Sequence, residues 1–290
     1  MVAVAQEGSF TRAAERLCLA QPSLSAQVRK LEQEVGARLF DRLGRRVALT
    51  AAGEAFLPHA QRALFEVEQA QQRVQEVLGL RLGRVRLGVL PSVGAHLLPG
   101  VLAGFRRRYP GVQVGLVEHN VSGEFERMVH AGQLDLAIIR MPRARSDLCG
   151  QTLVREPMMA LVAPGHRLAG CTRIGLASLA GEDFVTMKPG YGLRDLMVDM
   201  CARAGFTPRI TVETGQLAIV RGMVHAGVGV SVLPRLAAGS EGPRLPLAEP
   251  YAQRELGVVW RAGEPLMPPA EAFLQMLVGS VCERAGPEAG

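Results

Sequence analysis

The sequence predicts an α/β protein with an all-α-type head: an N-terminal winged helix-turn-helix, a long linker helix, and a C-terminal two-lobed domain. Three observations lead there. Two short helical patterns about four residues apart open the chain, a heptad of apolar residues runs along residues 50–78, and from Arg84 onward strand-like and helix-like stretches alternate. The expected boundaries are 1–50 for the head, 51–80 for the linker, 84–155 with 257–290 for one lobe, and 156–256 for the other.

In the head, Phe10, Ala13, Ala14 and Leu17 recur at helical spacing behind Ser9, a good N-cap. "CLAQ" breaks the pattern and Pro22 restarts it, because proline at a first helical position gives up only an amide that would be unpaired anyway. Leu24, Val28, Leu31 and Val35 then form one apolar stripe, and Gly36 stops the helix. Two such helices match the geometry in which the second enters the DNA major groove. At 100° per residue Pro22, Ala26, Arg29 and Gln33 face away from the stripe, flanked by Ser23, Ser25 and Lys30. Small side chains there allow close approach to the groove. Gln21 and Ser25 are expected to bond base edges, and Arg29 or Lys30 to reach bases or phosphates. By itself the stripe fits an ordinary amphipathic helix equally well.

"FDRLGRRVALT" follows, with Arg42, Arg45 and Arg46 around a glycine-centred turn and a brief strand at Val47 and Leu49. It reads as a basic wing able to neutralise phosphates, or else as an arginine-bearing surface loop. From Thr50 to about Leu78 a helix carries Leu57, Leu64, Gln71 and Leu78 at one heptad position and Ala60, Val67 and Val74 at the other. Such a narrow seam needs a partner helix, so a homodimer presenting paired reading helices is expected. Pro58 should kink or loosen the first turns.

Beyond Arg84, "RVRLGVL", "VQVGLVEH" and "LDLAII" read as strands, with helices near 97–108 and 123–131 between them. "MMALVAP", "DFVTM", "RITVE" and "GVSVLP" form a second series with helices near 193–204 and 217–226, and "RELGVVW" and a last helix over 269–284 close the chain. Two βα sets joined by crossings near Arg155 and Arg254 imply two lobes and a cleft. Gly227-Val228-Gly229 lacks the third glycine and following helix of a dinucleotide fingerprint.

Composition agrees. A chain of 290 residues holds two or three domains, and 48% hydrophobic with 4% aromatic residues is ordinary for a soluble α/β protein. No uncharged apolar run approaches the ~18 residues of a membrane span, so no membrane partner is expected. The first residues lack a signal-peptide pattern, and Cys18, Cys149, Cys171, Cys201 and Cys282 are odd in number, scattered and form no C-x-x-C. That argues against a disulfide framework or structural zinc and fits a reducing cytoplasm. The net charge of +6 comes from 31 Arg and two Lys against 27 acidic residues, with +4 of it in residues 1–86. Such an excess more often serves solubility and only nudges toward a nucleic-acid partner.

The segments "GSFTRAAERLCLAQPSLSAQVRKLEQEVGARLFDR" and "LTAAGEAFLPHA" resemble the LysR-type transcriptional regulators, a signature far longer than a generic helix-turn-helix. "LPSVGAHLLPGVLAGFRRRYPGVQV" and "HAGQLDLAI" are similar to the first half of that family's effector domain, and "VHAGVGVSVLP" to the second, so the resemblance covers nearly the whole chain. It implies a periplasmic-binding-protein-like (Rossmann-like) sensing domain, assembly as a homotetramer of DNA-binding dimers, double-stranded promoter DNA and a small effector as partners, RNA polymerase as a further one, and no cofactor. It also implies a longer first helix than Val2 to Gln6, by about two turns, and hence a translation start upstream of Met1.

Carried over by position, the resemblance puts Gln21, Pro22, Ser23 and Ser25 in the base-reading turn, and Arg29 and the wing arginines on the backbone. In the sensing domain Ser92, with the neighbouring Val93 amide, lies where a strand ends and a helix begins, a natural anion pocket. Asn120 and Ser122 end the next strand, and Arg140 at the end of the third can take a carboxylate in bidentate fashion. Across the cleft stand Met187, Lys188, Thr214 and the backbone around Val228. Each has a plainer reading: Ser92 and Ser122 as helix caps, Thr214 as a turn residue, Lys188 as a solvated charge. The expected effector is a small anionic metabolite, a carboxylate. An enzyme would need a convergent nucleophile and base or metal ligands. The six histidines show no H-E-x-x-H, and Ser231 sits in no nucleophile elbow. A transport solute-binding protein would share two lobes but needs a signal peptide and no helix-turn-helix.

Overall fold

The computed structural model describes residues 1–43, 46–77 and 83–285, and the chain divides into two compact units, one built essentially from residues 1–78 and the other from residues 79 onward. In the first, α1 (Val2–Glu7), α2 (Phe10–Arg16) and α3 (Gln21–Val35) precede a hairpin of β1 (Phe40–Leu43) and β2 (Arg46–Leu49), and α4 (Ala51–Val77) follows. Ser9 Oγ accepts the Arg12 amide at 3.4 Å, the expected cap of α2. Val4, Phe10, Ala13, Ala14, Leu24, Val28, Leu39 and Phe40 form the core, with the Phe10 and Phe40 rings edge to face at 5.7 Å.

Two polar devices fix the hairpin to the helices. Glu32 of α3 accepts the Leu39 amide at 2.8 Å and the Phe40 amide at 3.2 Å. Thr50 Oγ1 donates to the Arg38 carbonyl at 2.6 Å and accepts the Gly53 amide at 3.0 Å, capping α4. Gly53 cannot be anything larger, because a β-carbon there would lie 2.1 Å from the Leu39 carbonyl oxygen. The helix continues through Pro58.

The second unit is a mixed sheet with helices against it. Strands β3 (Gly83–Val89), β4 (Val112–Glu118) and β5 (Leu136–Arg140) are parallel; β11 (Gln253–Arg261) runs antiparallel beside β5 and then beside β6 (Leu148–Leu161). Strand β6 pairs with β11 over its first part and with β9 (Ser231–Pro234) and β10 (Arg244–Pro246) over its last residues, so it carries the sheet from one hydrophobic core to the next. A separate parallel pair, β7 (Asp183–Met187) and β8 (Arg209–Thr214), bridges to the same region through Phe184 and Val230. Helices α5 (Pro91–His96), α6 (Leu98–Arg108), α7 (Ser122–His130) and α10 (Pro268–Ala285) accompany the first series, and α8 (Gly192–Arg203) and α9 (Leu217–His225) the second. One core gathers Leu87, Phe105, Phe125, Ile138, Val258 and Phe273. Others gather Met158, Phe184, Met197 and Val232, and Val185, Val220 and Leu233. Among the described residues no helix is long and apolar enough to cross a membrane.

The structure revises the expected elements at two places. Strand β6 begins at Leu148, ten residues before the apolar "MMAL" on which the sequence reading rested, and β10 is a three-residue strand with no pattern long enough to register. The first half of β6 carries Gln151, Thr152, Arg155 and Glu156, and its polarity disguises a strand held by the ladder to β11 rather than by burial.

Candidate functional site

On α3 the side chains of Gln21, Pro22, Ser23, Arg29 and Lys30 are exposed, as a reading helix requires. Ser25 is a correction. It is 5% exposed, because the buried face runs through Leu24, Ser25, Val28, Leu31 and Glu32, about 30° round the helix from the apolar stripe. Glu32 causes the rotation: its carboxylate is turned inward to the hairpin amides. The Ser25 hydroxyl accepts the Gln21 side-chain amide at 3.1 Å, and its carbonyl accepts Arg29 Nε at 3.3 Å. Ser25 thus braces two exposed candidates instead of reaching outward. Lys30 and Glu34 form a 3.9 Å pair between exposed side chains, which contributes little. Val35, on the expected stripe, is 40% exposed.

The wing strands form, but Arg45 and the side chains of Arg42 and Arg46 lie outside the described residues, as does Leu78 of the seam. Along α4 Leu57 is half-buried, whereas Leu64, Val67 and Val74 are each more than half exposed.

In the second unit Ser92, Asn120, Ser122, Arg140 and Met187 line one cleft of about 430 Å³, part of it continuous with solvent. Val93 does not join them: it is fully buried in the core beneath. Lys188, Thr214 and Val228 stay outside the lining. The Lys188 amide donates to the Thr214 carbonyl at 3.0 Å, Thr214 Oγ1 accepts the Gln216 amide at 3.3 Å, and Val228 is 47% exposed.

Sequence reasoning missed Tyr191, Gly192 and Arg254, which also line the cleft. The first two sit in "PGYGLRD", where β7 ends and α8 begins, the same strand-to-helix signal that marks Ser92. Arg254 had marked only a crossing. It is fully buried opposite Glu156, its register partner across β11 and β6. Nε of Arg254 donates to Glu156 Oε1 at 2.8 Å, Nη2 donates to the same oxygen, and Nη1 donates to Ser92 Oγ at 3.0 Å. Glu156 Oε2 accepts the Leu236 amide at 2.8 Å. Burial pulls the Arg254 guanidinium below its ordinary value, Glu156 pushes it back up, and Arg140 lowers it again.

Beside the short α5 with Pro91 and Ser92, three longer helices start at the cleft: α7 with Ser122, α8 with Gly192 and Leu193, and α9 with Leu217. Their amide ends add partial positive charge to Arg140 and Arg254, against the single carboxylate of Glu156. Arg140 Nη1 donates to the Gly192 carbonyl at 3.3 Å, while the Gly192 amide donates to the Asn120 carbonyl at 3.2 Å. One residue of the second series, Gly192, is thus held at both its amide and its carbonyl by the first.

A helix-turn-helix head followed by a two-lobed domain with a positive cleft defines a ligand-responsive DNA-binding protein, and comparison with known proteins places it. The model of the "LysR substrate binding domain" matches residues 79–281, and that of the "bacterial regulatory helix-turn-helix protein, lysR family" matches residues 1–54. The HTH-type transcriptional regulator YnfL of Escherichia coli (strain K12) is 37% identical over 278 residues, covering 94% of this chain and 93% of its own. The transcriptional dual regulator GltC of Bacillus subtilis (strain 168) is 32% identical over 264 residues, covering 88% and 87%. Among solved structures, a full-length OxyR variant from Pseudomonas aeruginosa superposes with a TM-score of 0.74 at 30% identity, covering 97% of this chain and 91% of that one. The chain belongs to the LysR family of DNA-binding transcriptional regulators, with an effector-binding domain and no enzymatic role.

Proposed function

We propose that this regulator reads promoter DNA as a homodimer through α3 and is switched by a small carboxylate bound between the lobes of its second unit. The observation that carries the effector class is the convergence of Arg140, two serine hydroxyls and three helix starts on one cleft. Gln21 and Ser23 reach base edges, with Gln21 steadied by Ser25, while Arg29, Lys30 and the wing arginines Arg42, Arg45 and Arg46 neutralise phosphates. Leu64, Val67 and Val74 lie more than half exposed on one side of a helix, as a seam awaiting its partner would. Two such dimers give the tetramer. Effector binding changes the lobes only to the extent that it favours one arrangement, and Arg140, already bonded to Gly192, is the group for which ligand and lobe contact compete.

Several relatives are called hydrogen peroxide-inducible genes activators. Of the described cysteines none lines the cleft, and burial pushes the Cys201 thiol up to about 12, far from the thiolate that peroxide attacks. A thermal-shift screen of metabolites tests the carboxylate reading. Carboxylates that raise Tm in the wild type and lose the effect in Arg140→Ala support it; hits confined to neutral compounds indifferent to Arg140→Ala refute it.

A further inference from the structure

Resting on the reading of the cleft as a carboxylate site, we infer that Arg254 is a specificity-determining positioning residue: it turns the Ser92 hydroxyl proton toward the ligand. A guanidinium has only donors, so Ser92 Oγ can meet Arg254 Nη1, 3.0 Å away, only as acceptor. The serine proton must then point elsewhere, and Ser92, buried against Arg254 on one side, opens on the cleft. Ser122 is set the same way, since its Oγ accepts the Arg140 amide at 3.1 Å. Arg254 is itself held by Glu156, whose second oxygen is taken by the Leu236 amide, so the guanidinium cannot swing away to accept a different arrangement.

The cleft therefore turns two serine protons toward a ligand head group beside Arg140, while Asn120 and Tyr191 add side chains that can donate as well as accept. A carboxylate accepts from all of them. The corresponding amide keeps only one oxygen to accept from Arg140 and the two serine protons, and its N–H₂ turned toward any of them is a buried unmatched donor, which is heavily disfavoured. Glu156 and Arg254 together carry no net charge, so their effect on Ser92 can be separated from the general attraction of the cleft for anions.

The test uses full-length protein and three matched probe pairs, acetate with acetamide, succinate with succinamide and benzoate with benzamide, titrated by calorimetry. In the wild type at least one carboxylate should bind tenfold or more above its amide, on the order of one charge-assisted hydrogen bond. The charge-neutral double variant Arg254→Gln/Glu156→Gln, in which the amide oxygen can take the serine proton, should bring that ratio below about threefold. Arg254→Lys, again donor-only, should keep it. If the double variant fails to fold, Ser92→Ala reads the same loss. An unchanged ratio in the double variant and in Ser92→Ala, while Arg140→Ala abolishes binding, overturns the role of Arg254 and leaves the carboxylate site standing; so does equal binding of amide and carboxylate by the wild type. Silence of all six probes overturns the carboxylate site and this inference with it.

Discussion

On α3 every candidate contact but Ser25 is an exposed side chain held by at most one neighbour, whereas in the cleft Arg254, Glu156 and Ser92 are buried and each polar atom is bonded to the next. Exposed groups act one at a time, are screened by salt, and can be lost singly without harm to the fold. Buried ones act as a set. Removing one member leaves a charge or donor stranded in a medium that cannot solvate it. The difference matches two tasks: a reading surface samples many duplex sequences and must release the wrong ones, while a sensing cleft must discriminate among small anions in one fixed geometry.

The contrast breaks first, if it breaks, at Arg254. Arg254→Met alone strands Glu156 and should cost about 3–5 kcal/mol in urea unfolding, while Arg254→Gln/Glu156→Gln should cost less than half of that. Equal costs would mean the pair is no unit. In the reading head the largest stability effect is expected from backbone crowding rather than charge: Gly53→Ala, forced against the Leu39 carbonyl, should lower stability by about 1–3 kcal/mol and detach α4 from the hairpin, seen as weaker protection of the Thr50 and Gly53 amides in hydrogen exchange.

Gln21→Ala should lower discrimination between operator and random duplex by about 1–3 kcal/mol, whereas Arg46→Ala should weaken both duplexes alike and flatten the salt dependence. Ser25→Ala should cost discrimination by under about 1 kcal/mol, since it removes a brace and no base contact. An equal loss for Ser25→Ala and Gln21→Ala would put Ser25 back among the base readers. Smallest of all, Cys18 at φ 53 holds the turn between α2 and α3 in the left-handed region, so Cys18→Gly should raise stability by about 0.5–1 kcal/mol in the same unfolding assay.

Much of this architecture was legible because the signals were periodic. Pro22 and Gly36 bracket α3, the alternation of Val85, Leu87 and Val89 marks β3, and the unbroken apolar run of β5 from Leu136 to Ile139 reads as a buried strand. What stayed hidden has physical causes. Ser25 and Glu32 lie on the core side of α3 for polar reasons, which a count of apolar residues cannot see. The first half of β6 is held by its ladder to β11, so polar residues conceal it. In the cleft Ser92, Ser122 and Arg140 were readable as strand ends, while Arg254 was invisible because its partner Glu156 lies 98 positions away and only the β6–β11 register brings them together. Val93 was misplaced because its side chain is buried in the core and its amide already donates to the Leu90 carbonyl at 2.9 Å.

The central claim is that an anion in the cleft alters what α3 does on DNA, and it is met most directly by fluorescence anisotropy. The affinity of full-length protein for the region upstream of its own gene is measured with and without the carboxylates found by thermal shift, in wild type and in Arg140→Ala. The expected result is a shift in affinity or salt dependence in the wild type that disappears in Arg140→Ala, with basal DNA binding intact. Identical curves with and without every stabilising carboxylate, or a response that survives Arg140→Ala, would contradict it.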